Sequence, residues 1–281
     1  MIKSLLACTD GSSHGETAVE YGIQLAGKLN ASLGILHVLD ERMLEGPFLA
    51  NLSGLIGAQP YTDSLGQFRE IMQQKGEAVV AAVEAKAEAG GIPDARAKLI
   101  WGHPARTILG AENSAELIIL GQDGEHDKST GDWTGSTTDR VARHATRPVM
   151  IVPGHYVAID KIMVAYDGSP HASRALREAI DLAMALHVPL VICTVIEADD
   201  QGRAMDHADT AMRLARAHEC AAAFLITEGQ PDQCLLKKAI ETKCSLLIAG
   251  AHGHGRIREW IVGSTAHELI INTTLPLMLV R

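Results

Sequence analysis

Aromatic residues are scarce: Phe, Trp and Tyr make up only 4% of the 281 positions. Any core must therefore be aliphatic. Positive charge is short as well, with 25 Lys and Arg against 34 Asp and Glu and a net charge of −9. That balance argues against non-specific binding to nucleic acid or to an anionic membrane, both of which need a basic surface. One locally basic pocket is still allowed. Cysteine is sparse and odd in number: Cys8, Cys193, Cys220, Cys234 and Cys244, with no CxxC. Most sit in apolar runs, which reads as buried, reduced thiols of a cytoplasmic protein; a redox-sensing thiol is the other reading. No apolar run approaches the roughly 18–20 residues needed to span a bilayer. No signal peptide is evident either, since Met1-Ile2-Lys3 leads straight into a strand-like run ending at Asp10-Gly11. GxSxG and HExxH are both missing, so efficient hydrolysis is not indicated.

What is present is hydrophobic and repeated. Hydrophobic residues reach 47%, enough for real cores. LLACTDGSSH at 5–14 returns as IMVAYDGSPH at 162–171, an offset of 157. The same offset pairs His14 with His171, Leu25 with Leu182 and Val38 with Val195. Later, Gly102-His103-Pro104 answers Gly229-Gln230-Pro231, Gly121 answers Gly250, and Gly135-Ser136 answers Gly263-Ser264. A period this long is no solenoid. It predicts two homologous domains, 1–153 and 154–281, joined at Pro153-Gly154-His155.

Each copy alternates strand and helix patterns. Residues 2–8 form a continuous apolar run, as a strand buried on both faces should. Ser12 is placed to cap a helix whose Ala18, Gly22, Leu25, Ala26 and Leu29 share one face. Further strands are expected at 33–39, 97–101, 117–120 and 149–152, and helices over about 68–89 and 104–114. The second copy repeats the strands at 161–166, 190–196, 223–227, 246–249 and 277–280. This is an α/β chain of two tandem five-stranded parallel-sheet domains. Residues 41–67 have no counterpart of similar length after Glu197. They read as a surface excursion, or as a lid or lipophilic flap.

The stretch 246–264 carries the chemistry. A buried strand ends at Gly250, Gly253 follows, and Gly263-Ser264-Thr265 opens a helix. Glycines let backbone come close to a ligand, and a helix N-terminus favours an anion. Asp167 ends the first strand of the same copy, where an acid reaches the base or ribose rather than the phosphates. The pattern Gly250-x2-Gly253-x9-Gly263-Ser264 resembles the ATP-binding signature of the universal stress protein family. Both halves are similar to its domains, and the likeness covers nearly the whole chain outside 41–67.

The resemblance implies an adenine nucleotide alpha hydrolase-like (Rossmann-like) fold and a stress-response role. It implies ATP, with Mg2+, held by Asp167, by Val195 beside the base, by Ala249 and Gly250 near the ribose, and by Gly253, Gly263, Ser264 and Thr265 around the phosphates. Output would be nucleotide-dependent conformation or binding of an unknown protein partner. A slow ATPase timer and a lipophilic-ligand carrier stand as alternatives. Members often pair through the last strand; here the two copies are expected to form that pair internally, with a homodimer as a further possibility.

The first copy departs from the pattern. Its candidate residues are Asp10, Val38, Gly121, Gly124, Gly135 and Ser136, but its loop is one residue longer. From 121 to 136, Asp123, Glu125, Asp127 and Asp132 face Lys128 alone, a formal −3. From 250 to 264, Arg256 and Arg258 face Glu259, a formal +1. Two unit charges about 4 Å apart interact by roughly 4 kcal/mol at an effective dielectric of 20. The expectation is asymmetric: the second copy binds ATP and the first binds poorly, unless Mg2+ neutralises its acids. His252 and His254 read as phosphate-contacting or solvated loop residues, or as part of a zinc site lacking a fixed third ligand. His14 and His171 read as neutral and structural, because a helix start disfavours a cation.

Overall fold

The computed structural model describes residues 2–44, 61–124, 137–196, 201–251 and 263–281. The first half runs β1 (Ser4–Thr9), α1 (Ser13–Leu29), β2 (Ser32–Asp40), a 3-10 turn at Glu41–Leu44, α2 (Tyr61–Ala89), β3 (Arg96–Gly102), α3 (Pro104–Ala111), a second 3-10 turn at Glu112–Ser114, β4 (Leu117–Gly121), α4 (Thr137–His144) and β5 (Val149–Val152). The second runs β6 (Ile162–Ala165), α5 (Pro170–Leu186), β7 (Leu190–Ile196), α6 (Gln201–Ala217), β8 (Ala222–Glu228), α7 (Pro231–Glu241), β9 (Leu246–Gly250), α8 (Ser264–Asn272) and β10 (Leu277–Val280).

The apolar runs become strands because helices cover both faces of the sheet. β1, β5 and β10 are buried almost throughout, and the edge strands β3 and β8 alternate in exposure. The expected cap at Ser12 forms: its side chain accepts from Gly15 N. Ser169 does the same for α5 through Ala172 N. Helix α2 begins at Tyr61, earlier than periodicity indicates, so the end of the 41–67 stretch is helical. A Cβ on Gly66 would meet nothing within 4 Å, so this position faces open space. Residues 45–60, the bulk of the expected flap, lie outside the described residues.

The strands form one ten-stranded sheet in the order β3-β2-β1-β4-β5-β10-β9-β6-β7-β8. Every neighbouring pair is parallel except β5 and β10, which run antiparallel with Met150 opposite Met278. The two five-stranded sets thus join edge to edge, and each last strand closes the other half's open edge. An exposed apolar edge would template aggregation; here it is used up internally. Both hydrophobic layers continue across the join, so the halves share one core.

The connecting segment is also packed. Tyr21 of α1 donates its hydroxyl to Val157 O at 2.8 Å and accepts from Val157 N at 3.0 Å, while its ring lies 4.7 Å from that of Tyr156. Burial pushes the Tyr21 phenol up to about 12, so it holds its proton and serves as donor.

Candidate functional site

The register places the expected residues together. Ala165 of β6 lies opposite Cys193 of β7, and Val164 lies opposite Ile248 of β9. Counting on two residues sets Asp167 level with Val195, and Tyr166 level with Gly250. Neighbouring strands are about 5 Å apart, so these positions share one short stretch of the carboxyl edge. In the first half, Thr9 pairs with His37 and Ala7 with Ile119, which sets Asp10 beside Val38 and Thr9 beside Gly121.

The turn after each first strand is built the same way twice. Asp10 Oδ1 accepts from Ser12 N at 3.0 Å and from Ser12 Oγ at 2.6 Å; Asp167 Oδ1 accepts from Ser169 N at 2.9 Å. Each aspartate therefore commits one oxygen to its turn. Gly11 and Gly168 between them have φ of 85° and 77°, which side chains resist. In the second half, the imidazole of His207 from α6 lies over Gly168 and edge-on to Tyr166.

Gly121 and Gly250 are held to glycine by packing. A Cβ on Gly250 would lie 3.0 Å from His171 C and 3.1 Å from Ala172 N; on Gly121 it would lie 2.7 Å from His14 Cβ and 2.9 Å from His14 C. They let the starts of α5 and α1 seat against the ends of β9 and β4. Neither has positive φ.

Beyond β9, Gly263 N donates to Ala251 O at 3.0 Å. That bond brings Gly263, Ser264 and Thr265 back to the strand end. Gly263 caps α8 without any side-chain cap, and the first turn of α8 has no acid. Ala249 is buried; Asp167, Val195, Gly250, Gly263 and Thr265 are half-buried; Ser264 is exposed. Val195, like Ala165 and Leu225, packs against the hydrophobic layer on the face covered by α7 and α8. Gly253, His252, His254 and the charged residues 256–259 lie outside the described residues, as do Gly135, Ser136 and the acids from Glu125 to Asp132.

The first half closes differently. Thr138 Oγ1 donates to Gly121 O at 2.7 Å, holding α4 to β4. The first turn of α4 carries Asp139, which is buried and accepts from Arg143 Nε at 2.7 Å. His267 Nδ1 of α8 lies 3.7 Å from Asp139 Oδ1 and 3.4 Å from Arg143 Nη2, so this cluster crosses between the halves. Asp123 comes within 3.7 Å of His14 Nε2, giving His14 an acidic neighbour that its sequence position did not announce. His171 fits the neutral reading: burial first, then Arg174 and Arg281, hold it below the ordinary histidine value against Asp167. Burial also raises Cys8, Cys193, Cys220 and Cys244, the inert form of the thiol.

Two unforeseen braces link the sites across the join. Gln122, directly after Gly121, donates from Nε2 to Ile270 O at 2.8 Å, and lies 3.2 Å from the carbonyls of both Ile271 and Thr273. Arg281 donates from Nη2 to Ala142 O at 3.1 Å and to Arg143 O. Each caps the carbonyl end of the other half's last helix. Comparing the copies does not reveal them, because Gln122 aligns with Ala251 and Arg281 with Pro153.

The model of the universal stress protein family matches twice, over residues 1–153 and 158–281. The chain belongs to the universal stress protein family. A universal stress protein of Synechocystis sp. is 26% identical over 287 residues, covering 100% of both chains. The crystal structure of a universal stress protein from Archaeoglobus fulgidus has the same fold, with a TM-score of 0.75 at 24% identity, covering 99% of this chain and 96% of that one. A shorter universal stress protein, 24% identical over 44% of this chain and 98% of its own with a TM-score of 0.39, has been solved in complex with cAMP. No helix among the described residues is long and apolar enough to cross a membrane.

Proposed function

We propose that the second half binds ATP at the carboxyl edge of β6, β7 and β9, and that the chain serves in stress response through nucleotide-dependent conformation or partner binding. The observation that carries this is the Gly263–Ala251 closure, which sets the uncapped start of α8 against the end of β9. Helix-start N–H groups and the helix dipole favour phosphate there. The hydroxyls of Ser264 and Thr265 add donors, Val195 with Ala165 and Leu225 supplies an apolar wall for a base, and Asp167 stands one strand away to accept from base or ribose. Mg2+ would travel with the phosphates. Among the described residues, no group of three His, Cys, Asp or Glu is placed to hold a metal ion. The hydroxyls at the start of α8 suit an ion that keeps most of its water. The first half, with Asp139 in the corresponding helix turn and a formal −3 on its loop, is the poorer triphosphate host.

Calorimetry with ATP and Mg2+ on the wild type and on Gly263→Val tests this. Gly263 has φ −57° and ψ 152°, open to any residue, so the variant folds while its side chain crowds the helix start. One site in the wild type, weakened about 100-fold or more in the variant, is expected from the loss of several charge-assisted contacts. A wild type that binds no ATP, or a variant that binds it unchanged, refutes the assignment.

A further inference from the structure

Arg140, in α4, stands out among the cations of the first half. Arg42 spans the carboxylate of Asp40, with Nε at 2.8 and 2.9 Å from its two oxygens, and Arg143 holds Asp139. Arg140 is half-buried, and the partner of its guanidinium is the imidazole of His103, with Nη1 3.5 Å from Nε2. Among the described residues, no carboxylate lies within ion-pair distance of it.

His103 is odd in the complementary way. A guanidinium only donates, so Nε2 must accept and the ring proton must sit on Nδ1. Nδ1 is buried and, among the described residues, has no hydrogen-bond partner. His103 is also the N-cap of α3, yet its side chain caps nothing, and Pro104 follows with no N–H to offer. Asp40 is near enough to feel His103, but its charge is already met by Arg42. Among the described residues the guanidinium thus meets no carboxylate, only an imidazole nitrogen at 3.5 Å, beside an uncapped helix start.

We propose that the first half carries a separate oxyanion subsite, formed by Arg140 and His103, that takes a single phosphate group. An oxyanion seated between them accepts from the guanidinium and, with the ring in its other tautomer, from Nε2–H. Nδ1 then carries a lone pair at the N-cap position of α3, where an acceptor is favoured over a donor. α3 packs on α4, so both residues sit on the Val38 face of the first half's crevice.

The second half lacks these groups. Gln230 and Glu268 hold the equivalent positions; Gln230 Oε1 accepts from Gln233 Nε2 at 2.9 Å, and Glu268 is exposed and accepts from Asn272 Nδ2. The charge sign at this place in the fold is inverted between the halves. The acidic stretch after Gly124 limits the total negative charge the first half tolerates, which favours one phosphate group over a triphosphate.

The inference does not depend on ATP binding in the second half, and the test keeps the two apart. The full chain carrying Gly263→Val is titrated by calorimetry at low ionic strength with inorganic phosphate and, separately, with AMP. Saturable single-site binding is expected, weakened roughly ten- to hundred-fold in Arg140→Ala and in His103→Gln, and little changed in Arg177→Ala on the exposed face of α5. AMP binding tighter than phosphate points to a nucleoside monophosphate with its base against Val38; equal binding points to free phosphate. Thermal midpoints report whether each variant folds, and His103→Gln, which installs the second half's own residue, stands in should Arg140→Ala unfold. Absence of saturable binding of either probe, or equal affinity in both variants, overturns the subsite. Failure of ATP to bind the wild type would bear on the second half alone.

Discussion

At the end of β1 the carbonyl of Thr9 is met by His37 Nδ1 at 2.8 Å; at the end of β6 the carbonyl of Tyr166 is met by Thr194 Oγ1 at 2.5 Å. The two acceptors are register equivalents, and so are the two donors, yet one donor is an imidazole and the other a hydroxyl. The braces repeat the lesson: Ala142 and Arg143 align with Ile270 and Ile271, and these helix ends are capped by Arg281 and Gln122, residues from unrelated positions. A buried backbone carbonyl needs a partner, but many side chains satisfy it. The structural demands are therefore shared by the halves while the residues drift. The charge around each carboxyl edge has no such requirement to keep it, and there the halves differ in kind: Arg140 and His103 on one side, Glu268 and Gln230 on the other.

The largest effect expected from breaking this comparison lies at the cluster that joins the halves. Arg143→Ala leaves the buried carboxylate of Asp139 without its guanidinium, at a cost of about 3 kcal/mol. Adding Asp139→Asn removes the buried charge and recovers most of that loss. Urea denaturation of the single and double variants checks it; a double variant no more stable than Arg143→Ala would mean that the guanidinium acts by packing. Because the cluster includes His267 of α8, the loss is expected in both halves' hydrogen-exchange protection.

The strand-end glycines sharpen the comparison at smaller scale. On Gly121, an added Cβ would sit under 3.0 Å from both Cβ and backbone carbon of His14, so α1 must shift; on Gly250, the closest approaches to His171 and Ala172 are 3.0 and 3.1 Å. Gly121→Ala is expected to cost about 2–3 kcal/mol and Gly250→Ala about 1 kcal/mol. Denaturation midpoints rank them; the reverse order would show that the start of α1 has more room than the start of α5.

Much of this was legible in the sequence, and the pattern of what was not is physical. Parallel strands buried on both faces announce themselves as apolar runs, and β2, β5, β7 and β10 fall within a residue or so of their expected bounds. The 157-residue offset foretold two similar halves, and the antiparallel β5–β10 pairing agrees with the internal pairing expected from the family. Ser12 capped as its type and position indicated. By contrast, the packing demand on Gly250 was not legible, because close approach of a helix start and approach of a ligand demand the same missing Cβ. Gln122, Arg140 and the Asp139–Arg143–His267 cluster act between elements far apart in sequence, and no local pattern or copy-to-copy match marks such residues. The early start of α2 was hidden because Gly66, which faces open space, interrupts any apolar stripe there.

The smallest expected effect separates the halves by acid. In the first half, Glu20 is held below its ordinary value chiefly by its hydrogen bond to Lys86, against burial. For Asp40 in the same half, burial pushes upward, but the hydrogen bonds and charge of Arg42 outweigh it and the carboxyl ends below its usual value. Both groups contribute stability that is present above their unfolded values, near 4.5 and 3.8, and is lost as pH falls through the folded ones. In the second half, Glu178 runs the other way: burial first, with Asp181 adding, raises it. Its contribution is present in full below its unfolded value near 4.5 and is lost as pH rises through the folded one. Lowering pH from neutral to below these folded values should therefore weaken α1 and β2 relative to α5 and β7. The Glu20–Lys86 pair is largely solvated on the lysine side, so its share is below about 1 kcal/mol. Hydrogen exchange at the two pH values, corrected for intrinsic rates, reads the difference helix by helix. Glu20→Gln should shrink the first half's loss and Glu178→Gln the second half's gain; equal weakening of both halves in the wild type would show that the shared core, rather than these carboxylates, sets the acid response.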